Sequence, residues 1–173
     1  MSVPKSRRSQ ARTEYVYQAT VLASLIGAMC SRLPKRWSFT RTRYVLDSAN
    51  KVMAEAARAD AIYATNEREA AERMGHLLAA LSEVSVLEKY VDQIALDNPA
   101  RPCDAGKPKS EQRRCVTDGM LAEAGMQCES VSRLLRAVVK SDRRKWSRKK
   151  VRRTSGRSAS AGHRAHRSRK VRV

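Results

Sequence analysis

Histidines, cysteines and clustered acids are the residues from which catalysis or metal binding would have to be built. The chain has three histidines, and only His76 lies in its body; His163 and His166 fall in a basic tail. Glu72 and His76 stand four residues apart, and no second such pair exists. A di-metal bundle needs inward-facing Glu-x-x-His motifs on two helices, so a metal site is not supported. His76 reads as a solvent-edge histidine or one satisfied inside a bundle. Glu67, Glu69 and Glu72 open an expected helix, where carboxylates complement the helix dipole. No GxGxxG, P-loop or GxSxG pattern occurs. The sequence offers no catalytic residues and no cofactor site, and the chain reads as non-enzymatic.

The cysteines are Cys30, Cys103, Cys115 and Cys128. No CxxC and no His-x3-His pair accompanies them, so a zinc site is poorly supported. Cys115 and Cys128 lie on one expected helix, about 220° apart around its axis, and cannot pair within it. All four read as small thiols in a reducing cytoplasm. The basic start and the apolar run Val21–Met29 imitate a signal peptide, and Cys30 imitates a lipoprotein cysteine. Glu14 and Gln18 at the head of that run argue against export, as does Met29 where a small residue is needed. An exported, lipid-modified bundle is therefore the weaker alternative. No apolar run reaches the roughly 18–20 residues of a membrane span. A cytoplasmic protein without membrane contact is expected.

Charge divides the chain into three. Its 173 residues carry a formal net charge of +19. Residues 1–13 contribute +4, residues 14–139 only +1, and residues 140–173 contribute +14, with Asp142 their single acid. A near-neutral body between two basic ends predicts a polyanionic partner.

The body must position these charges, and its pattern is helical. Aromatics are 5% and glycines only 7, which disfavours a β-sandwich or barrel. Val16, Ala19, Ala23, Ile26 and Cys30 form one stripe of a first helix over 14–33, widened by Val21, Leu22, Leu25 and Met29 and ended by Pro34. Val45, Ala49, Val52, Ala56, Ala59 and Tyr63 mark a second helix over 39–64. Asn66 is the expected N-cap of a third helix over 67–96, with Glu69 in the capping-box position. Ala70, Met74, Leu77, Leu81, Val84, Val91 and Ile94 mark its inner side, with Leu78 and Leu87 beside them. The proline-containing segment 97–110 reads as a loop. A fourth helix is expected either from a cap at Ser110 or only after Asp118, with Cys115, Leu121, Ala124, Cys128, Val131, Leu135 and Val138 as its apolar positions. It is expected to fade beyond Trp146. Residues 147–173 bury too little to offset ordering entropy, and are expected to be disordered alone. The expected architecture is all-α: a basic flexible N-terminus (1–13), an up-down four-helix bundle (14–146) and a disordered basic C-terminal tail (147–173).

Two basic features remain as candidate nucleic-acid contacts. The first is Arg32, Lys35, Arg36, Arg41 and Arg43 at the first interhelical turn, without an acid in the segment. Trp37 and Phe39 lie among them, either closing the end of the bundle or stacking on bases. The second is Arg143, Arg144, Lys145, Arg148, Lys149, Lys150, Arg152 and Arg153. Such a run supplies sequence-independent, salt-sensitive affinity for RNA or DNA.

The step Leu33-Pro34-Lys35-Arg36, the run FTRTRYVL over 39–46 and the basic-ended run VSRLLRAVV over 131–139 resemble a small helical family. It comprises four-helix bundles that include the accessory variability determinant of diversity-generating retroelements. The resemblance covers about residues 14–146. It implies a homo-oligomer, a pentameric barrel with a basic outer surface, that associates with a reverse transcriptase and its template RNA during mutagenic retrohoming. Lys35, Arg36, Arg41 and Arg43 would then contact the polymerase complex or nucleic acid. This sequence departs from the family in one respect: its body is nearly neutral, and much of the charge lies in the tail. A general RNA-, DNA- or ribosome-associated bundle without a reverse transcriptase partner is the alternative expectation.

Overall fold

A computed structural model describes residues 5–33, 37–97 and 116–167, with residues 5–12, 38 and 149–167 described by backbone alone. The chain is an all-α, up-down four-helix bundle. Helix α1 spans Lys5–Cys30, α2 Arg43–Ala61, α3 Glu67–Asp97 and α4 Asp118–Arg167. A π-helical turn, Ser38–Thr42, leads into α2. Each helix packs on its sequence neighbours, and α4 closes the ring against α1. Among the described residues there is no strand.

Apolar stripes drive this arrangement. Tyr15, Ala19, Leu22, Ile26 and Met29 of α1 meet Val45, Ala49, Val52, Ala56 and Ala59 of α2 in one core. Leu77, Ala80, Val84, Leu87, Val91 and Ile94 of α3 and Leu121, Ala124, Cys128, Val131 and Leu135 of α4 complete it. Each fully buried Leu, Ile or Val contributes about 1.5–3 kcal/mol, and the alanines let the helix axes approach.

The α2 and α4 stripes are close to those expected, while α1 is turned slightly. Its centre runs through Tyr15, Leu22 and Met29, and Val16 and Ala23 lie half-buried at the edge. Ala19, Ile26 and Cys30 keep their expected buried places. Tyr63 is exposed, because α2 ends at Ala61 and Ile62 turns extended (φ −82°, ψ 107°). Leu78 also faces outward, and the α3 core stripe instead includes Arg73.

The helix ends have local causes. Asn66 caps α3 as expected: the Glu69 amide donates to its side-chain oxygen at 2.9 Å. The Glu69 carboxylate in turn accepts from the Thr65 amide and hydroxyl, each at 2.7 Å. Thr117 caps α4, accepting from the Met120 amide at 3.3 Å through its hydroxyl. The helix therefore begins at Asp118, the later of the two expected starts; Ser110, Arg113 and Cys115 lie outside the described residues.

Two helices run further than expected. The backbone of α1 is helical from Lys5, and that of α4 continues past Trp146 to Arg167. No proline interrupts either segment, and lysine, arginine and alanine are good helix formers. Basic residues near a helix C-terminus also complement the dipole.

Candidate nucleic-acid interface

The first basic cluster is less free than its sequence suggests. Arg41 lies over the Trp37 ring, 4.7 Å from its centroid, and forms an ion pair with Asp97 at the end of α3. The turn itself holds no acid, but antiparallel packing carries one to it. Arg32 is exposed and donates to the Met120 sulfur at 3.2 Å. Arg43 is exposed beside Tyr44 and Asp47. Lys35 and Arg36 lie outside the described residues. The two aromatics part company: Trp37 packs half-buried against the core, whereas Phe39 is 86% exposed.

The second cluster begins at a buried polar junction. Arg73 of α3 is buried, and its Nε donates to Asp142 Oδ2 of α4 at 2.8 Å. Its Nη1 donates to the Ala59 and Ile62 carbonyls at 2.6 and 3.2 Å, satisfying the C-terminal end of α2. Tyr15 of α1 donates to Asp60 Oδ1 of α2 at 3.3 Å. Burial pushes the Tyr15 phenol up to about 12; the Arg73 charge opposes that shift and Asp60 adds to it. Burial disfavours the Arg73 charge, but Asp142, Tyr15 and Asp60 outweigh it and hold the guanidinium above its ordinary value. The junction thus joins all four helices at one end of the bundle.

That junction shapes the charge of the same end. Asp142, the lone acid of the basic segment, is held by Arg73. From Arg143 to Arg167 the helix then carries eleven lysines and arginines and no acid. Arg143, Arg144, Lys145 and Arg148 are exposed. Lys149, Lys150, Arg152 and Arg153 follow on the helical backbone, their side chains outside the description. Antiparallel topology brings the start of α1, with Lys5, Arg7, Arg8 and Arg12, to this end too. A groove of about 420 Å³ opens beside the junction, lined by Glu67, Ala70, Ala71 and Met74 of α3 and Asp142, Arg143, Trp146 and Ser147 of α4.

Sequence reasoning missed Arg73, although the signal was present. Counting back from Leu77 by one helical step lands on residue 73, inside the stripe. An isolated acid at the head of a basic run was the matching clue.

Other polar residues tie the helices to one another. His76 Nδ1 sits 2.6 Å from Glu55 Oε2 of α2, and Glu55 also pairs with Arg58. The His76 contact, with help from Arg58, holds the Glu55 carboxyl below the usual range. His76 is therefore satisfied across helices, not along its own helix by Glu72. Gln127 donates to the Gln18 carbonyl and side chain, at 3.2 and 2.7 Å, tying α4 to α1. Cys30 and Cys128 are buried free thiols, pushed up by burial to about 11 and about 12, with Glu88 and Asp92 adding to the latter. Cys103 and Cys115 lie outside the described residues. Among the described residues, no cluster of three metal-ligating side chains occurs, and no helix is long and apolar enough to cross a membrane. Comparison with protein-family models, curated proteins and solved structures gives no match for this chain.

Proposed function

We propose that this protein is a non-enzymatic accessory factor that binds nucleic acid through the basic end of its bundle, beside the reverse transcriptase of a diversity-generating retroelement. One observation carries the nucleic-acid part. Asp142 is drawn onto Arg73, and the bases that follow it continue on one helix, from the end where the basic start of α1 also emerges. Such a rod presents many cations to a polyanion and few competing acids. The reverse transcriptase part is supported by the resemblance over residues 14–146, and a homo-oligomer belongs to the same reading.

The test is RNA and DNA binding by the full chain across a salt series. Converting Lys149, Lys150, Arg152 and Arg153 together to glutamine should flatten the log K against log salt slope by about 3, given roughly 0.7–0.9 per phosphate contact. Absence of binding at low salt overturns the proposal. Co-expression with a reverse transcriptase encoded beside the gene should give a stable complex.

A second reading is a general RNA-, DNA- or ribosome-associated bundle without a reverse transcriptase partner. It is favoured by the pairing of Arg41 with Asp97, which weakens the basic surface that the resemblance implies on the bundle itself. A reverse transcriptase reading frame and paired repeats next to the gene separate the two.

A further inference from the structure

We propose that the outward face of α1 is a self-association surface, through which two copies of this chain pair antiparallel about a two-fold axis. Residues 15–31 contain no charged residue. Glu14, Tyr17, Val21, Ser24, Ala28 and Ser31 follow at alternating steps of three and four, which keeps them on one line along the helix. That line lies opposite the core stripe: Tyr17 is 63% exposed, and Ser24, Ala28 and Ser31 are exposed. Thr20 and Ser31 donate to the Val16 and Ala28 carbonyls at 3.0 and 2.7 Å, so covering the face strands neither hydroxyl. The other helices are charged outside. Asp47, Lys51 and Arg58 are exposed on α2, and Glu123, Arg133 and Arg136 on α4. Glu83 and Glu88 interrupt α3, where Lys89 already pairs with Asp92 at 3.6 Å.

Charge identifies the occupant as a second copy. Glu14 and Arg32 bound the uncharged stretch. They stand eighteen residues apart, five full turns, and so share one side of α1. Glu14 accepts from Gln18 at 2.8 Å, and Arg32 donates to the Met120 sulfur at 3.2 Å. Both partners are neutral, and among the described residues neither charge has an ion pair. An antiparallel copy brings the partner's Arg32 to Glu14 and the partner's Glu14 to Arg32. In that register Tyr17 faces the partner's Ala28, large against small, and Val21 faces the partner's Ser24. Every contact then occurs twice, as an isologous pair requires. A parallel pair would set like charges opposite one another and bring two basic ends together. The antiparallel pair sends those ends, the start of α1 and the end of α4, to opposite ends of the dimer. Such a contact closes at two copies, unlike the pentameric barrel that the resemblance implies. A single helix face about 27 Å long is a small interface, so the dissociation constant should be micromolar, roughly 1–100 µM.

The experiment is sedimentation velocity on the full chain, freed of nucleic acid, from about 1 to 300 µM, a range that spans that constant. A monomer–dimer equilibrium is expected. Ser24→Arg sets two like charges beside the axis from an exposed position. It should leave a monomer with unchanged circular dichroism and thermal midpoint. Arg32→Glu places like charges at both ends and should weaken the dimer roughly 10-fold or more. Glu14→Arg combined with Arg32→Glu exchanges the signs and should restore it. Ala79→Arg, on the exposed side of α3, should leave association unchanged. A monomer at every concentration, or an assembly of five, overturns the proposal. So does a dimer that survives Ser24→Arg or is lost in Ala79→Arg. Failure of the double exchange to restore pairing overturns the antiparallel register. Each of these outcomes leaves the nucleic-acid reading standing, because none of them measures nucleic-acid binding.

Discussion

Arg73 donates from Nε to Asp142 at 2.8 Å and from Nη1 to the Ala59 carbonyl at 2.6 Å. One guanidinium therefore satisfies the end of α2 and anchors α4. Removing it leaves a carboxylate without its partner and a helix end without its donor. Losing one member of such a buried pair costs about 3 kcal/mol. Arg73→Met should accordingly lower the thermal midpoint by roughly 6–12 °C, at about 2–4 °C per kcal/mol for a chain of this size. Asp142→Asn keeps an acceptor and should cost less, about 1 kcal/mol. A scanning calorimetry trace of Arg73→Met matching the parent would show that the junction contributes nothing to stability.

Arg73 also shows where the sequence was opaque. The α2 stripe from Val45 to Ala59 was legible because a single helix carries its own period. So was the Asn66–Glu69 cap, whose partners are local. The pairs Arg73–Asp142, Arg41–Asp97 and His76–Glu55 join residues far apart in sequence. Local patterning holds no information about which face of one helix meets which turn of another. The groove at Trp146 belongs to the same class, because its walls come from two helices that only packing brings together. The run of lysines and arginines after Asp142, by contrast, is a property of composition and is readable from the sequence alone.

Alkaline pH should destabilise the fold. Tyr15 is raised from 10.0 to about 12, Cys30 from 9.0 to about 11 and Cys128 from 9.0 to about 12. The folded chain keeps these protons after the unfolded chain has released them. Their stabilisation is present in full below pH 9 and is lost progressively as pH rises through 12. Each titrating group contributes a slope of about 1.4 kcal/mol per pH unit within its window. Urea midpoints measured from pH 8 to pH 11 should hold to about pH 9 and then fall, and Cys128→Ala should flatten the decline. A constant midpoint across that range would refute the account.

The same burial protects the two thiols. At neutral pH Cys30 and Cys128 are held as thiols, and the thiolate is the reactive form. Iodoacetamide should label neither residue in the native protein and both in denaturant, read by peptide mass mapping. Native labelling of Cys128 at a rate like that of a free thiol would place it outside the core.

The cap on α3 should be separable from the core. Asn66→Ala removes the acceptor for the Glu69 amide and should cost about 1 kcal/mol. Glu69 is held below the ordinary carboxylate range chiefly by the Thr65 amide, then by the Thr65 hydroxyl. Its contribution is present above the unfolded-state value and is lost as pH falls through the folded one. The difference in urea midpoint between the parent and Glu69→Gln should therefore shrink on acidification. A difference independent of pH would show that the carboxylate charge has no part in the cap.

Arg41 and Arg143 should behave differently toward nucleic acid, although the sequence presents both as members of basic clusters. Arg41 is engaged by Asp97 and by the Trp37 ring, whereas Arg143 is exposed at the head of the basic run that follows Asp142. An ion pair already formed must be broken before its cation can meet a phosphate, so Arg41→Gln should leave affinity nearly unchanged. Replacing Arg143, Arg144 and Lys145 together by glutamine should reduce the salt slope by about 2. Asp97→Asn gives the sharper comparison, because it releases Arg41 without adding a cation. Low-salt affinity should then rise and the slope steepen by up to about 1. If Asp97→Asn has no effect and Arg41→Gln weakens binding as much as the triple variant, the first turn is the principal contact and the basic end of α4 is secondary.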